Sequence, residues 1–70
     1  AAERLALLSL VAARAVPLGD VLTEKELGEA LSPFTADVAA LRRYLVDASL
    51  LERTPTGSEY ARVEPDPVDN

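Results

Sequence analysis

Two prolines divide the N-terminal part of the chain into segments of helix length. Pro17 and Pro33 each lack a backbone donor and push the preceding residue out of helical geometry. Gly19 lies two residues after Pro17, and Ser32 directly precedes Pro33. The segments around them are rich in Leu and Ala and carry apolar residues three or four positions apart. We therefore predict three helices, at residues 3–15, 24–31 and 36–48.

Capping signals define where the second and third helices begin. Thr23 followed by Glu26 has the pattern of a capping box, so the second helix is predicted to start at Glu24. Thr35 is predicted to cap the third helix. The predicted core residues are Leu5, Leu8, Val11, Ala12 and Ala15 in the first helix, Leu27, Ala30 and Leu31 in the second, and Val38, Leu41, Leu45 and Ala48 in the third.

The C-terminal part of the chain has the pattern of a β-hairpin. Residues 50–54 and 59–63 flank the turn sequence "PTGS", and residues 20–23 are extended enough to add an edge strand. The predicted fold is mainly α with a small β-hairpin, in the winged helix-turn-helix order of helix, short strand, helix, helix and two-stranded wing. Residues 1–63 form this domain, and residues 64–70 are predicted to be a disordered acidic tail.

Composition excludes several classes of function. The chain has no His and no Cys, which removes the usual general base, thiol nucleophile and nitrogen or sulfur metal ligands. The longest apolar run, residues 5–16, contains Arg14 and is too short to cross a bilayer. We therefore expect a cytoplasmic protein that is not an enzyme and has no cofactor, metal or membrane contact.

The motifs "LTEKELGEAL" at 22–31, "DVAALRRYLVDASLLER" at 37–53 and "GSEYARV" at 57–63 resemble a bacterial domain-of-unknown-function family. Its usual pattern is Tyr-Thr-Glu-x-Glu-Val-Asn, then Asp-x-x-x-Leu-Arg-Arg-x-Leu-Val-Asp-x-Gly-Leu, then Arg with Gly and Tyr. The resemblance covers residues 16–63 and implies a winged-helix-like fold without an established activity. Members of that family occur alone or attached to ArsR-like transcriptional regulators.

The chain departs from the family pattern at three positions. Leu22 stands where the family has Tyr, and Gly28 stands where it has Asn, so polar contacts of those two family residues are absent here. Ser49 stands where Gly ends the third helix, and a left-handed residue other than Gly costs roughly 1 kcal/mol there. These departures do not disrupt the predicted fold. They do weaken any inference of a functional site from the family to this chain.

Direct DNA binding is one interpretation of the arginine-rich C-terminal half. The third helix would enter the major groove, with Arg43, Arg53 and Arg62 as cationic contacts and Thr56 and Ser58 on phosphates. Charge disfavours it, because the formal net charge is −5 and residues 35–63 hold four acids against four bases. The outward face of that helix is also poor in base-reading side chains, since it consists of Ala36, Ala39, Ala40, Arg43 and Asp47.

Arg42 lies beside the core edge of the third helix in a helical projection. Its position favours a structural ion pair with Glu26, with Glu29 or with the hairpin.

Protein interaction is the function that we predict from the remaining surface. Leu7 and Leu10 project away from the core face of the first helix, beside Glu3 and Arg14. Small side chains on the third helix would let another backbone approach. The chain is thus predicted to be a regulatory or protein-interaction module of a bacterial, transcription-associated protein. Its partner would be another protein or a second copy bound through the first helix, and the predicted interface residues are Leu7, Leu10, Ala36, Ala40 and Arg43.

Overall fold

The computed structural model of the protein describes residues 2–56 and 58–63. Within them the elements follow one another as α1 (Ala2–Ala15), β1 (Val21–Thr23), α2 (Glu24–Leu31), α3 (Val38–Asp47), β2 (Leu51–Arg53) and β3 (Glu59–Arg62). The fold is therefore mainly helical with a small antiparallel sheet, and the elements follow the predicted order. The predicted tail at 64–70 lies outside the described residues.

The sheet joins the middle of the chain to its C-terminal part. Its strand order is β1-β3-β2, and both neighbouring pairs are antiparallel. Val21 lies opposite Ala61, and on the other side of β3 Leu51 lies opposite Arg62. The predicted hairpin and the predicted edge strand are both confirmed, and β1 takes its place beside the second hairpin strand.

The start of α2 is fixed by the predicted capping box. The Thr23 hydroxyl accepts a hydrogen bond from the Glu26 backbone N–H at 3.1 Å, and the Glu26 carboxylate accepts one from the Thr23 N–H at 2.9 Å. These two bonds satisfy backbone donors that a helix start leaves without partners. Since Thr23 is also the last residue of β1, the same residue ends the strand and begins the helix.

The predicted start of α3 is wrong by two residues. Asp37, rather than Thr35, is the N-cap, and its Oδ1 accepts a hydrogen bond from the Ala40 N–H at 3.1 Å. The Thr35 hydroxyl accepts from the Asp37 N–H at 3.0 Å instead, which closes a short turn before the helix. Both residues can cap a helix, and the hydroxyl's engagement in the turn leaves the carboxylate to do so.

α3 ends in a Schellman motif. The Leu50 N–H donates to the Leu45 carbonyl and the Ser49 N–H donates to the Val46 carbonyl, both at 3.0 Å. Ser49 has a φ of 63°, which confirms the predicted left-handed residue at this position. The motif turns the chain sharply into β2 and keeps Leu50 packed against the core.

The core is formed by residues from every helix and from the hairpin. Leu5, which the sequence assigns to it, is 50% exposed, because only the later turns of α1 are covered by the rest of the fold. Ala30, Val38, Leu41 and Leu8 are partly buried and pack against it. The buried core residues are Val11, Ala12, Ala15, Val16, Leu27, Leu31, Leu45, Leu51 and Tyr60.

Removal of the capping box should destabilise the domain measurably. We expect Thr23→Ala to lower the free energy of unfolding by about 1 kcal/mol, which for a domain of this size lowers Tm by about 4–8 °C. Thr23→Ser should retain most of the stability, because its hydroxyl can still accept the bond from Glu26. Lys25→Ala is the matched control, since Lys25 is exposed on the same helix turn. Thermal unfolding followed by circular dichroism measures all three, and equal Tm values would contradict the role assigned to the cap.

Ser49→Gly should have the opposite effect. Glycine adopts a positive φ without the steric penalty of a Cβ atom, so the free energy of unfolding should rise by about 1 kcal/mol. Ser32→Gly is the control, because Ser32 has an ordinary right-handed φ of −58° and its hydroxyl donates to the Glu29 carbonyl. Urea unfolding should show stabilisation for the first variant and none for the second.

Candidate interaction surface

Exposed apolar side chains lie together between α1 and α3. They line an open groove of about 470 Å³, which we call the α1–α3 groove. Its exposed apolar side chains are Leu7, Phe34 and Tyr44, which are 62%, 43% and 48% accessible to solvent. Leu8, Ala40 and Leu41 form the more buried part of the lining. The grouping of these side chains in one concave surface makes the groove a candidate binding site.

The groove is formed where the turn before α3 meets the first half of α1. Phe34 follows Pro33 directly, and its backbone N–H donates to the Leu31 carbonyl at 2.9 Å, so it sits in the tight turn after α2. Tyr44 lies on α3, and the Arg4 guanidinium carbon is 5.1 Å from the centroid of its ring. This cation–π contact connects α1 to α3 and orients the ring.

The structure places the five predicted interface residues in different surroundings. Leu7 and Ala40 line the α1–α3 groove together. Arg43 occupies a shallow depression beside it, which it shares with Ala40 and Tyr44. Leu10 is exposed on the outer side of α1, away from the groove lining, and Ala36 is exposed in the turn before α3.

Phe34 and Tyr44 are groove residues that the sequence did not predict. A signal for Tyr44 was present, because a helical projection places it beside Leu41 at the edge of the core face of α3. Phe34 had no such signal, since it belongs to a turn and its neighbours in space come from α1.

A second concave surface lies between α3 and the hairpin. Its lining includes Arg42, Arg43 and Arg53 with the carboxylates of Glu24 and Asp47, and its volume is about 430 Å³. We call it the arginine cavity. Three positive charges and two negative ones leave a formal charge of +1, which is small for a phosphate-binding surface.

Arg42 has a structural role within the arginine cavity. Its Nη1 lies 3.4 Å from Oε2 of Glu24, and its Cζ lies 5.9 Å from the centroid of the Tyr60 ring. The predicted structural ion pair is present, but its partner is Glu24 instead of Glu26, Glu29 or a residue of the hairpin, which Arg42 contacts through the Tyr60 ring. The Glu26 carboxylate is engaged in the capping box, and Glu24 is the acid that faces α3.

The residues predicted for DNA binding lie on α3, on the hairpin strands and near the hairpin turn. Arg43 and Arg53 line the arginine cavity. Arg62, on the neighbouring strand β3, lines two other concave regions, one near Ser9 and Leu18 and one near Asp20 and Glu52. Thr56 and Ser58 are exposed close to the hairpin turn, and their hydroxyl oxygens are 2.9 Å apart and hydrogen-bonded.

Two further properties follow from the described part of the chain. None of its helices is long and apolar enough to cross a membrane. In the same residues no group of three or more His, Cys, Asp or Glu side chains is placed to hold a metal ion.

The fold and its surfaces define a small, mainly helical domain with an exposed apolar groove. A family described as "Uncharacterized protein conserved in bacteria (DUF2087)" matches residues 1–62, and the chain belongs to this family. The match includes α1, whereas the resemblance seen in the sequence motifs begins only at residue 16. No curated protein and no solved structure matches the chain.

Replacement of Arg42 should destabilise the fold, whereas replacement of Arg43 should not. We expect Arg42→Gln to lower the free energy of unfolding by about 1 kcal/mol, because an exposed ion pair and a cation–π contact contribute ~0.5–1 kcal/mol each at most. Arg43→Gln is the matched control from the adjacent, outward-facing position. A double-mutant cycle with Glu24→Gln, measured by urea unfolding, isolates the ion pair. A destabilisation that is equal for the two arginine variants would contradict the assignment.

Proposed function

We propose that this domain has a winged-helix fold and acts as a non-catalytic protein-interaction module of a bacterial, transcription-associated protein in the cytoplasm. The element order and the three-stranded sheet support the fold, because α2, α3 and the hairpin follow one another as in winged helix-turn-helix proteins. The association with transcription rests on the motif resemblance described above. The absence of His and Cys from the sequence supports a role without catalysis.

The α1–α3 groove is the observation that carries this proposal. A concave apolar surface is suited to receive the apolar face of a helix from a partner, which would present side chains at positions i, i+3 or i+4, and i+7. Leu7, Phe34 and Tyr44 would supply most of the contact area, since they are large and exposed. Aromatic side chains are enriched among the residues that dominate binding energy at interfaces. Arg43, next to Tyr44, would contact the rim of such a partner.

DNA binding is the second candidate, and the arginine cavity is the observation in its favour. Arg42, Arg43 and Arg53 lie together between α3 and the hairpin, the two elements that would contact DNA in a winged helix. Two features count against it. Arg42 is engaged with Glu24, and the exposed face of α3 carries Ala39 and Asp47 beside Arg43. Alanine cannot provide the bidentate hydrogen bonds that discriminate bases.

A DNA titration followed by amide chemical shifts separates the two candidates. We expect a labelled duplex, added at low salt, to produce little or no shift, because the domain is acidic overall and the arginine cavity has a formal charge of only +1. Shifts concentrated in residues 35–43 and 53–62 that disappear as salt is raised would overturn the protein-interaction proposal in favour of DNA binding.

The positive test uses peptides selected for binding from a random library displayed on phage. We expect the selected peptides to carry apolar residues at helical spacing and to shift amides around Leu7, Phe34 and Tyr44. Tyr44→Asp should abolish their binding, whereas Glu52→Gln, a change on the exposed side of β2, should leave it unaltered. Selected peptides that lack the helical pattern, or that bind Tyr44→Asp as well as the unmodified chain, would count against the groove.

A further inference from the structure

The outer side of α1 carries a stripe of four exposed residues, Glu3, Leu7, Leu10 and Arg14. Their spacing of four, three and four positions places them within about 60° of one another around the helix axis, at 100° per residue. All four are exposed, and Leu7 and Leu10 are among the large apolar side chains that solvent reaches. Among the described residues, neither Glu3 nor Arg14 takes part in an ion pair. We call this set the α1 stripe.

The α1 stripe is complementary to itself when a second copy is turned end for end. In one antiparallel register, Leu7 lies opposite Leu10 of the second copy, and Glu3 lies opposite Arg14 of the second copy. The numbers of each facing pair in this register add up to 17. Both contacts then occur twice, related by a two-fold axis. A parallel pair would instead place Glu3 against Glu3 and Arg14 against Arg14, which is repulsive at both ends. The distribution of charge therefore selects the antiparallel arrangement.

We propose that two copies of this chain associate through antiparallel packing of their α1 stripes, with the two-fold axis passing between Leu8 and Ser9. This inference deepens the proposed protein-interaction function, on which it rests, by naming a second copy as the partner. The same patch on both subunits forms the contact, as a closed two-fold dimer requires. Ala6 and Ala13, which are exposed beside the stripe, allow the second helix to approach closely. Antiparallel helices also place opposite ends of their dipoles together.

The size of the contact limits its strength. α1 has 14 residues and is therefore about 21 Å long at 1.5 Å per residue. Interfaces that bury less than ~1,200 Å² of total accessible surface are usually weak and transient. Two helices of this length bury less surface than that. Leu7 belongs both to the α1 stripe and to the α1–α3 groove, so the two apolar surfaces are continuous. We expect a reversible dimer with a dissociation constant in the micromolar range or weaker.

Sedimentation velocity of the 70-residue chain over a wide concentration range tests the pairing and its register. The unmodified chain should pass from monomer to dimer as concentration rises. Arg14→Glu and Glu3→Arg should each weaken association by at least about tenfold, because each reversal turns two symmetry-related attractions into repulsions. The double variant Glu3→Arg with Arg14→Glu should dimerise like the unmodified chain. An equimolar mixture of the two single variants should form a heterodimer, since their charges are again complementary.

Matched variants distinguish this register from other contacts. Leu10→Glu should weaken the dimer at least as much as Arg14→Glu, whereas Lys25→Glu on α2, which adds negative charge away from the stripe, should have little effect. Circular dichroism should show that every variant is folded, because all of the altered side chains are exposed. A chain that stays monomeric at the highest concentration would overturn the proposal. Dimerisation that ignores the single reversals, or that the double reversal fails to restore, would overturn it too.

Failure of the dimer and failure of the proposed function give different results. Arg14 lies outside the α1–α3 groove, so peptides selected for the groove should bind Arg14→Glu as they bind the unmodified chain. If peptides bind and the chain stays monomeric, only the pairing of two copies is lost. If neither peptides nor a second copy bind, the interaction function itself is wrong.

Discussion

The antiparallel pairing of β1 with β3 is the constraint on which the other positions depend. It is a contact between residues far apart in the chain, since Leu22 lies opposite Tyr60. Because β1 passes into α2 at Thr23, the pairing places the start of α2 beside the hairpin and brings Glu24 within reach of Arg42 on α3. Tyr60 is thereby buried in the same core as Leu27 and Leu45. A local capping signal and a non-local strand pair act at adjacent residues and determine together where the helices lie.

Local signals in the sequence predicted most of the fold, and the errors come from choices that depend on distant residues. The limits of α2 follow from the capping box and from Pro33, and the hairpin follows from its turn sequence. The start of α3 was missed because Thr35 and Asp37 are both good caps, and only the hydrogen bond between them decides. Leu5 was assigned to the core because periodicity identifies the inner face of a helix but not how far other elements cover it.

The surfaces were less predictable than the fold, for a related reason. Exposure of Leu7 and Leu10 could be predicted from the helical projection of α1 alone. That Leu7 shares a groove with Phe34 and Tyr44 depends on how α1 meets α3, which no local pattern encodes. Closeness in the hairpin likewise does not predict a shared site. Arg53 and Arg62 lie close together on the hairpin, and yet they line different concave regions.

α1 contributes Val11, Ala12 and Ala15 to the core and leaves most of its other sides uncovered. The other described elements cover only part of this 14-residue helix, and Leu7 and Leu10 remain exposed. Leu7 lies on both exposed surfaces, the α1 stripe and the wall of the groove. Both proposed contacts would involve Leu7, so a partner bound at one surface would change the free energy of binding at the other, and this coupling would be reciprocal. The proposed self-association and the proposed binding of a second protein would in this way be linked through one side chain.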